Sequence, residues 1–278
     1  MLFDRTKCTI SRKGYSFITI PVSRGIQKVV VLADFHLGHP ECRIDLIDKA
    51  IQWILDNEAM VILGGDLIEN GTKTSVGAAV YDQIMGPQEQ VNAVVELLRP
   101  IERHIVAGYR GNHENRTWVA SGMDPMQGIC SPLGIPYFGY ELFGAVVAKG
   151  SEGHTRTYLV YGNHSDSGHK NSGLAINHVQ RDWNFTNADI MFKSHDHHLD
   201  YSGDATVLDM CAQQGTVRER RQHIVLTGSC LSRANTYAGK KPYRPNRLGF
   251  LPIALNMNRS DRLNGDWGVR PIFDLAEG

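Results

Sequence analysis

Residues 28–36, KVVVLADFH, decide the reading of the fold. The segment 28–33 is a near-continuous apolar run ending in a carboxylate, the pattern of a strand buried on both faces. Beyond it, Ile44, Ile47, Ile51, Ile54 and Leu55 recur at helical spacing. Residues 60–63 predict a second buried strand closing at Gly64-Gly65-Asp66. Val91, Val94, Val95 and Leu98 share one face of a helix expected over 88–98, which Pro100 stops. A third strand, expected over 105–109, leads into Gly111-Asn112-His113. This β-α-β-α-β order implies parallel strands joined by right-handed crossovers, with ligands collecting at their carboxyl ends. All three polar clusters fall at those ends.

The second half reads as more β-rich, with strands near 145–149, 157–161, 190–193 and 224–227 and a helix bridging 174–183. No internal repeat or low-complexity linker breaks the chain, so 1–278 is expected to form a single domain. The stretches 71–86, 117–138 and 231–248 read as insertions or lids, against the plainer alternative of surface loops. The last, LSRANTYAGKKPYRPNRL, is basic and aromatic. Arg233 and Tyr237 are its candidate substrate contacts, one gripping phosphate and the other stacking on a base.

Lys plus Arg and Asp plus Glu number 29 each, so no global basic field draws the chain to polyanions. A local basic groove would not show in that total. No run of about 18 apolar residues is present, and the first residues lack the apolar core of a signal peptide. The five cysteines are scattered and never form a CxxC pair, which argues against structural zinc or a disulfide framework. A cytoplasmic protein without membrane association is the expectation.

The chemistry lies in five clusters. Asp34-Phe35-His36 offers a hard oxygen and a borderline nitrogen from a strand end. In Gly64-Gly65-Asp66 the glycines permit close backbone approach, and Asp66 has two oxygens with which to bridge two metals. In Arg110-Gly111-Asn112-His113-Glu114 an amide oxygen suits a hard cation, and His113 beside it can reach a substrate. Gly162-Asn163-His164 supplies a further histidine. In Ser194-His195-Asp196-His197-His198, His195 and His197 are expected to alternate on an extended strand end and so face one site. His39, His154, His169, His178 and His223 lack such context and read as surface or core residues; His104 precedes an apolar strand and reads as structural, and His198 follows the pair directly and would face away on an extended chain.

The ordered series DxH, GGD, GNHE, a lone His and HxH resembles the calcineurin-like metallophosphoesterase superfamily, and spans Asp34 to His198. The resemblance implies a four-layer α/β/β/α sandwich. It implies one metal held by Asp34, His36 and His197 and a second held by Asn112, His164 and His195, with Asp66 bridging them. His113 would stand at the leaving group as general acid, Glu69 would orient it, and Arg110 would contact a phosphate oxygen. Three departures stand out: Ser194 replaces the usual Gly, the Asp-Arg pair of the phosphoprotein phosphatases is missing after Asp66, and Asn70 occupies the place of their second arginine.

These features predict a phosphodiesterase of the phosphodiesterase and nuclease-like branch, with nucleic acid or a nucleotide among its candidate substrates. Two divalent ions are expected, Mn²⁺ favoured over Fe²⁺ or Zn²⁺. The alternatives are a phosphomonoesterase, including a protein phosphatase, for which RGNHE speaks, and a non-catalytic binding scaffold.

Overall fold

The computed structural model describes residues 3–73, 75, 80–149, 155–211, 215–232, 246–258 and 268–277. Along the chain run β1 (Thr9–Ser11), β2 (Phe17–Val22), β3 (Ile26–Leu32), α1 (Ile44–Asn57), β4 (Met60–Leu63), α2 (Pro87–Leu98) and β5 (Ile105–Gly108). Then come α3 (Asn112–Ser121), α4 (Pro125–Cys130), β6 (Glu141–Lys149), β7 (Thr155–Asn163), α5 (Ser172–Asp182) and β8 (Ile190–Lys193). The last elements are β9 (Leu199–Cys211), β10 (Thr216–Ser229), β11 (Gly249–Phe250), β12 (Ile253–Asn256) and β13 (Val269–Pro271).

The fold is mixed α/β with two sheets, as the strand and helix order predicts. The smaller sheet runs β13-β12-β3-β4-β5, and β3, β4 and β5 are parallel neighbours. The larger runs β1-β2-β6-β7-β8-β10-β11, with β9 paired to β10.

Three apolar cores hold these elements together, and strand alternation assigns the residues to them. Val30, Leu32, Val61 and Leu63 pack with Ile47, Ile54 and Val94 of α1 and α2. Their neighbours Val29, Val31, Met60 and Ile62 turn the other way, onto Ile18, Val146, Val160, Ile190 and Phe192 of the larger sheet. On that sheet's far face, Met191, Ile224 and Leu226 pack with Ala175 and Val179 of α5.

The stretch 117–138 holds the end of α3 and all of α4. Asp124 caps α4 by accepting from Met126 and Gln127 N–H, and Met126, Ile129 and Cys130 are buried against α1 and α2's core. Part of 71–86 is tied down as well: Gly71 N–H donates to Gln83 Oε1 at 2.8 Å, and Gln90 Nε2 donates to the same oxygen at 2.8 Å. Arg233 and Tyr237, like all of 233–245, lie outside the described residues. Arg247 lies within them, and its Nε donates to the Glu277 carbonyl at 2.8 Å. Among the described residues no helix is long and apolar enough to cross a membrane.

Candidate metal centre

Because β3, β4 and β5 end side by side, Asp34, Asp66 and Asn112 emerge along one sheet edge. The ladder continues past the strands: Asp34 N–H donates to Gly65 O at 3.0 Å, and His36 N–H to Asp66 O at 3.1 Å. The glycines are what let these loops meet. A Cβ on Gly65, which sits at φ +81°, would fall 2.2 Å from Gly111 N, and one on Gly111 would fall 2.1 Å from Asp66 Oδ1. No side chain fits either place.

Three groups of donors converge there among the described residues. Asp34, His36 and His197 form the first, Asp66, His164 and His195 the second, and a third, made of Glu69 and His113, shares His36 with the first. In the first, His36 Nε2 and His197 Nε2 are 3.1 Å apart, and His197 Nε2 is 3.4 Å from Asp34 Oδ1. In the second, His164 Nε2 is 3.0 Å from Asp66 Oδ2, and His195 Nδ1 is 2.8 Å from Asn112 Oδ1. Asp34 Oδ1 also lies 3.7 Å from His164 Nε2, so it faces the first two groups. Asp66 divides its oxygens: Oδ1 accepts His113 N–H at 2.8 Å, while Oδ2 faces His164.

The surroundings fix which nitrogen each histidine presents. His164 Nδ1 donates to the Gly64 carbonyl at 2.7 Å, which turns Nε2 inward. His36 Nδ1 meets Glu69 Oε2 at 3.0 Å, with the same result. Asp34 Oδ1 and His164 Nε2 are buried yet have no hydrogen-bond partner; the short approach of His164 Nε2 to Asp66 lacks hydrogen-bond alignment. Buried polar atoms are rarely left so. A convergent set of carboxylate oxygens and imidazole nitrogens with orphaned members has the donor chemistry of a divalent cation site.

The electrostatics agree. Burial opposes ionisation of Asp34, but His164, His197 and His36 outweigh it and hold the carboxyl well below the carboxylate range. Burial likewise opposes charging His36 and His164, yet the carboxylates prevail. Asp34 and Glu69 raise His36 to about 10, and Asp66 and Asp34 raise His164 to about 9. The centre therefore holds concentrated negative charge that attracts either protons or cations.

Asp34, His36, Asp66, Asn70, His195 and His197 all have positive φ, between 43° and 76°. Side-chain-bearing residues adopt this region seldom, and such strain gathers at functional sites. It corrects the expectation for the HxH pair. β8 ends at Lys193, and His195 (φ 76°) and His197 (φ 55°) are left-handed rather than extended. The turn sends the two histidines to different donor groups, and His195 N–H donating to Asp34 Oδ2 at 3.2 Å helps hold it.

The remaining expected residues are placed as follows. The Glu69 carboxylate bonds His36 and stands 3.6 Å from His113 Nδ1, which instead donates to the Glu69 carbonyl at 2.6 Å. Burial, aided by His36 and Arg116 and opposed by Asp66 and Glu69, pushes His113 down to about 3. In this arrangement its Nε2 is a lone-pair acceptor rather than an acid. Arg110 pairs with Asp124 at 2.9 Å between the rings of Tyr140 and Trp118, none of which belongs to the donor groups. His104 Nδ1 donates to the Ala59 carbonyl and His198 Nε2 to the His169 carbonyl, both outside the donor groups.

Three residues take parts in the site that the sequence does not assign: Glu114 and Asn70 stand in or beside its motifs without these roles, and Arg116 stands outside them. Glu114 accepts N–H bonds from Asp66, Leu67 and Gly111. The Asn70 amide donates to the His113 carbonyl and to Thr117, clamping α3. Arg116 donates to His113 Nε2 at 2.8 Å. The usable signal belonged to Glu114, which closes GNHE three residues after Gly111, the spacing of a capping box.

No family model matches the chain, and no curated protein does. Among solved structures, the calcineurin-like phosphoesterase YfkN from Bacillus subtilis is similar over 89% of this chain and 90% of its own, at 14% identity and a TM-score of 0.44. A predicted phosphoesterase from Streptococcus pneumoniae TIGR4 is similar over 84% of this chain and 85% of its own, at 11% identity and a TM-score of 0.33.

Proposed function

We propose that the chain is a metal-dependent phosphoester hydrolase acting on phosphodiesters. The observation that carries this reading is the pair of orphaned, buried atoms, Asp34 Oδ1 and His164 Nε2, set within two converging donor groups. Asp34, His36 and His197 would hold one divalent ion, and Asn112, His164 and His195 the other, with Asp66 shared between them. Mn²⁺ is the favoured ion, with Fe²⁺ and Zn²⁺ compatible with the same donors. Such ions acidify water and neutralise the charge of a phosphoryl group.

The chain's own residues do the rest. Glu69 and the Gly64 carbonyl hold the imidazoles of His36 and His164 with Nε2 inward. His113 stands beside Asp66, its Nε2 3.8 Å from Asp66 Oδ2, where a leaving oxygen would emerge. Its proton now sits at Nδ1 on the Glu69 carbonyl. Service as a general acid requires Nε2 to be released by Arg116 and to take up a proton first.

The diester preference rests on Asn70, which stands where a second phosphate-binding arginine would. Its amide is spent on His113 and Thr117, so it offers no cation to a dianionic monoester. The test compares bis-p-nitrophenyl phosphate with p-nitrophenyl phosphate under added Mn²⁺. Faster diester hydrolysis is expected, abolished by chelation. A strong monoester preference would overturn the diesterase reading, and no turnover of either with full metal loading would overturn the hydrolase reading.

A further inference from the structure

α3 puts Arg116 one turn after His113, against the candidate centre. Its Nη2 donates to His113 Nε2 at 2.8 Å and its Nη1 to the Glu69 carbonyl at 3.1 Å. His113 Nδ1 donates to that same carbonyl, so the 3.1 Å approach of Arg116 Nη1 to His113 Nδ1 is two donors sharing one acceptor. The guanidinium is half-buried, and among the described residues no carboxylate pairs with it. Arg110, by contrast, is committed: it is locked to Asp124 between two aromatic rings.

A partly desolvated guanidinium bonded only to neutral acceptors gains by exchanging one of them for an anionic oxygen. Charge-assisted bonds are roughly twice as strong as neutral ones, and the planar fork suits a phosphoryl group. The atom Arg116 now contacts, His113 Nε2, is 3.8 Å from Asp66 Oδ2, so an oxygen reaching the donor groups passes within the arginine's range.

Resting on the hydrolase reading, we propose that Arg116 is the substrate-binding cation of this site. It turns Nη2 from His113 Nε2 to a non-bridging phosphoryl oxygen, and in doing so uncovers His113 Nε2 toward the leaving group. Substrate binding and exposure of His113 are then one movement. Among the described residues, this one guanidinium without a carboxylate partner at the centre matches the single negative charge of a diester.

The test uses the full chain loaded with Mn²⁺ and the variants Arg116→Gln and Arg116→Lys. Binding of inorganic phosphate is followed by calorimetry, alongside kinetics on bis-p-nitrophenyl phosphate. Arg116→Gln is expected to weaken phosphate binding at least 10-fold and to raise KM more than it lowers kcat, with metal content unchanged. Arg116→Lys should recover part of the binding, and millimolar guanidinium should partly rescue Arg116→Gln. Phosphate affinity and KM both within twofold of the parent in Arg116→Gln would overturn the proposal, as would equal losses in the two variants without rescue. If the parent turns over no phosphoester yet binds phosphate in an Arg116-dependent way, the hydrolase reading fails and the anion contact stands.

Discussion

The carboxylate of Glu114 accepts the backbone N–H of Asp66 at 2.9 Å, so a residue in the first turn of α3 holds the loop that follows β4 in place. The same carboxylate takes Leu67 N–H at 2.8 Å and Gly111 N–H at 2.9 Å, and it is fully buried. Glu114→Gln keeps the shape but turns an amide NH₂ toward at least one of these donors. An unsatisfied buried donor costs about 2 kcal/mol. Urea unfolding should show a loss of that size, and elemental analysis should show reduced metal. Unchanged stability would mean that the three bonds are dispensable.

Gly65→Ala should be more severe. Its Cβ would fall 2.2 Å from Gly111 N at a φ of +81°, combining a backbone clash with conformational strain. Gly14 has a similar φ of +78° but nothing within 4 Å, so Gly14→Ala carries the strain alone. Expected losses are about 3 kcal/mol or more for Gly65→Ala and about 1 kcal/mol for Gly14→Ala. Paired denaturation curves separate the two contributions.

Ligand and non-ligand roles should split cleanly. Mn²⁺ is expected to raise the melting temperature of the parent, and Asp66→Ala to lower metal content and abolish that rise. His113→Ala should keep its metal and that rise while turnover falls by about 10²–10⁴. Intact dinuclear loading in Asp66→Ala would contradict the shared role given to that carboxylate.

Acid sensitivity has one source far from the centre. His223 is buried, with Nδ1 2.7 Å from the Tyr201 hydroxyl, and burial, with Arg221 adding to it, pushes its pKa down to about 4. The unfolded chain protonates this histidine near the ordinary value of about 6.5. Stability is therefore whole above that value and is lost as pH falls toward 4, by about 2–3 kcal/mol in total. His223→Gln should flatten the fall in urea midpoint between pH 6.5 and 4. An unchanged slope would assign the acid sensitivity to other groups.

The strands that frame the site were legible because burial on both faces writes itself as apolar runs. Residues 60–63 and 190–193 coincide with β4 and β8. The donor residues were legible through their motifs at strand ends. α3 was not, because NHENRTWVAS has no apolar stripe. Its first turn is held by a local capping bond from Gly111 N–H to Glu114 and by the Asn70 clamp, which is a tertiary bond. The left-handed turn through His195 and His197 was misread as extended for a related reason. A single φ choice leaves no periodicity, and here a bond from His195 N–H to Asp34 helps decide it. Arg116 stayed hidden because its partner, the Glu69 carbonyl, comes from a distant loop.

The six left-handed donors and neighbours, from Asp34 to His197, carry one more consequence. Each sits in a backbone state that glycine would occupy with less strain, so selection for robustness alone would erode them. Glycine at His36 or His197 should relieve local strain while removing the side chain that the strain serves. Heat-resistant survivors of a random library screened only for folding should accordingly be enriched at these positions in inactive proteins.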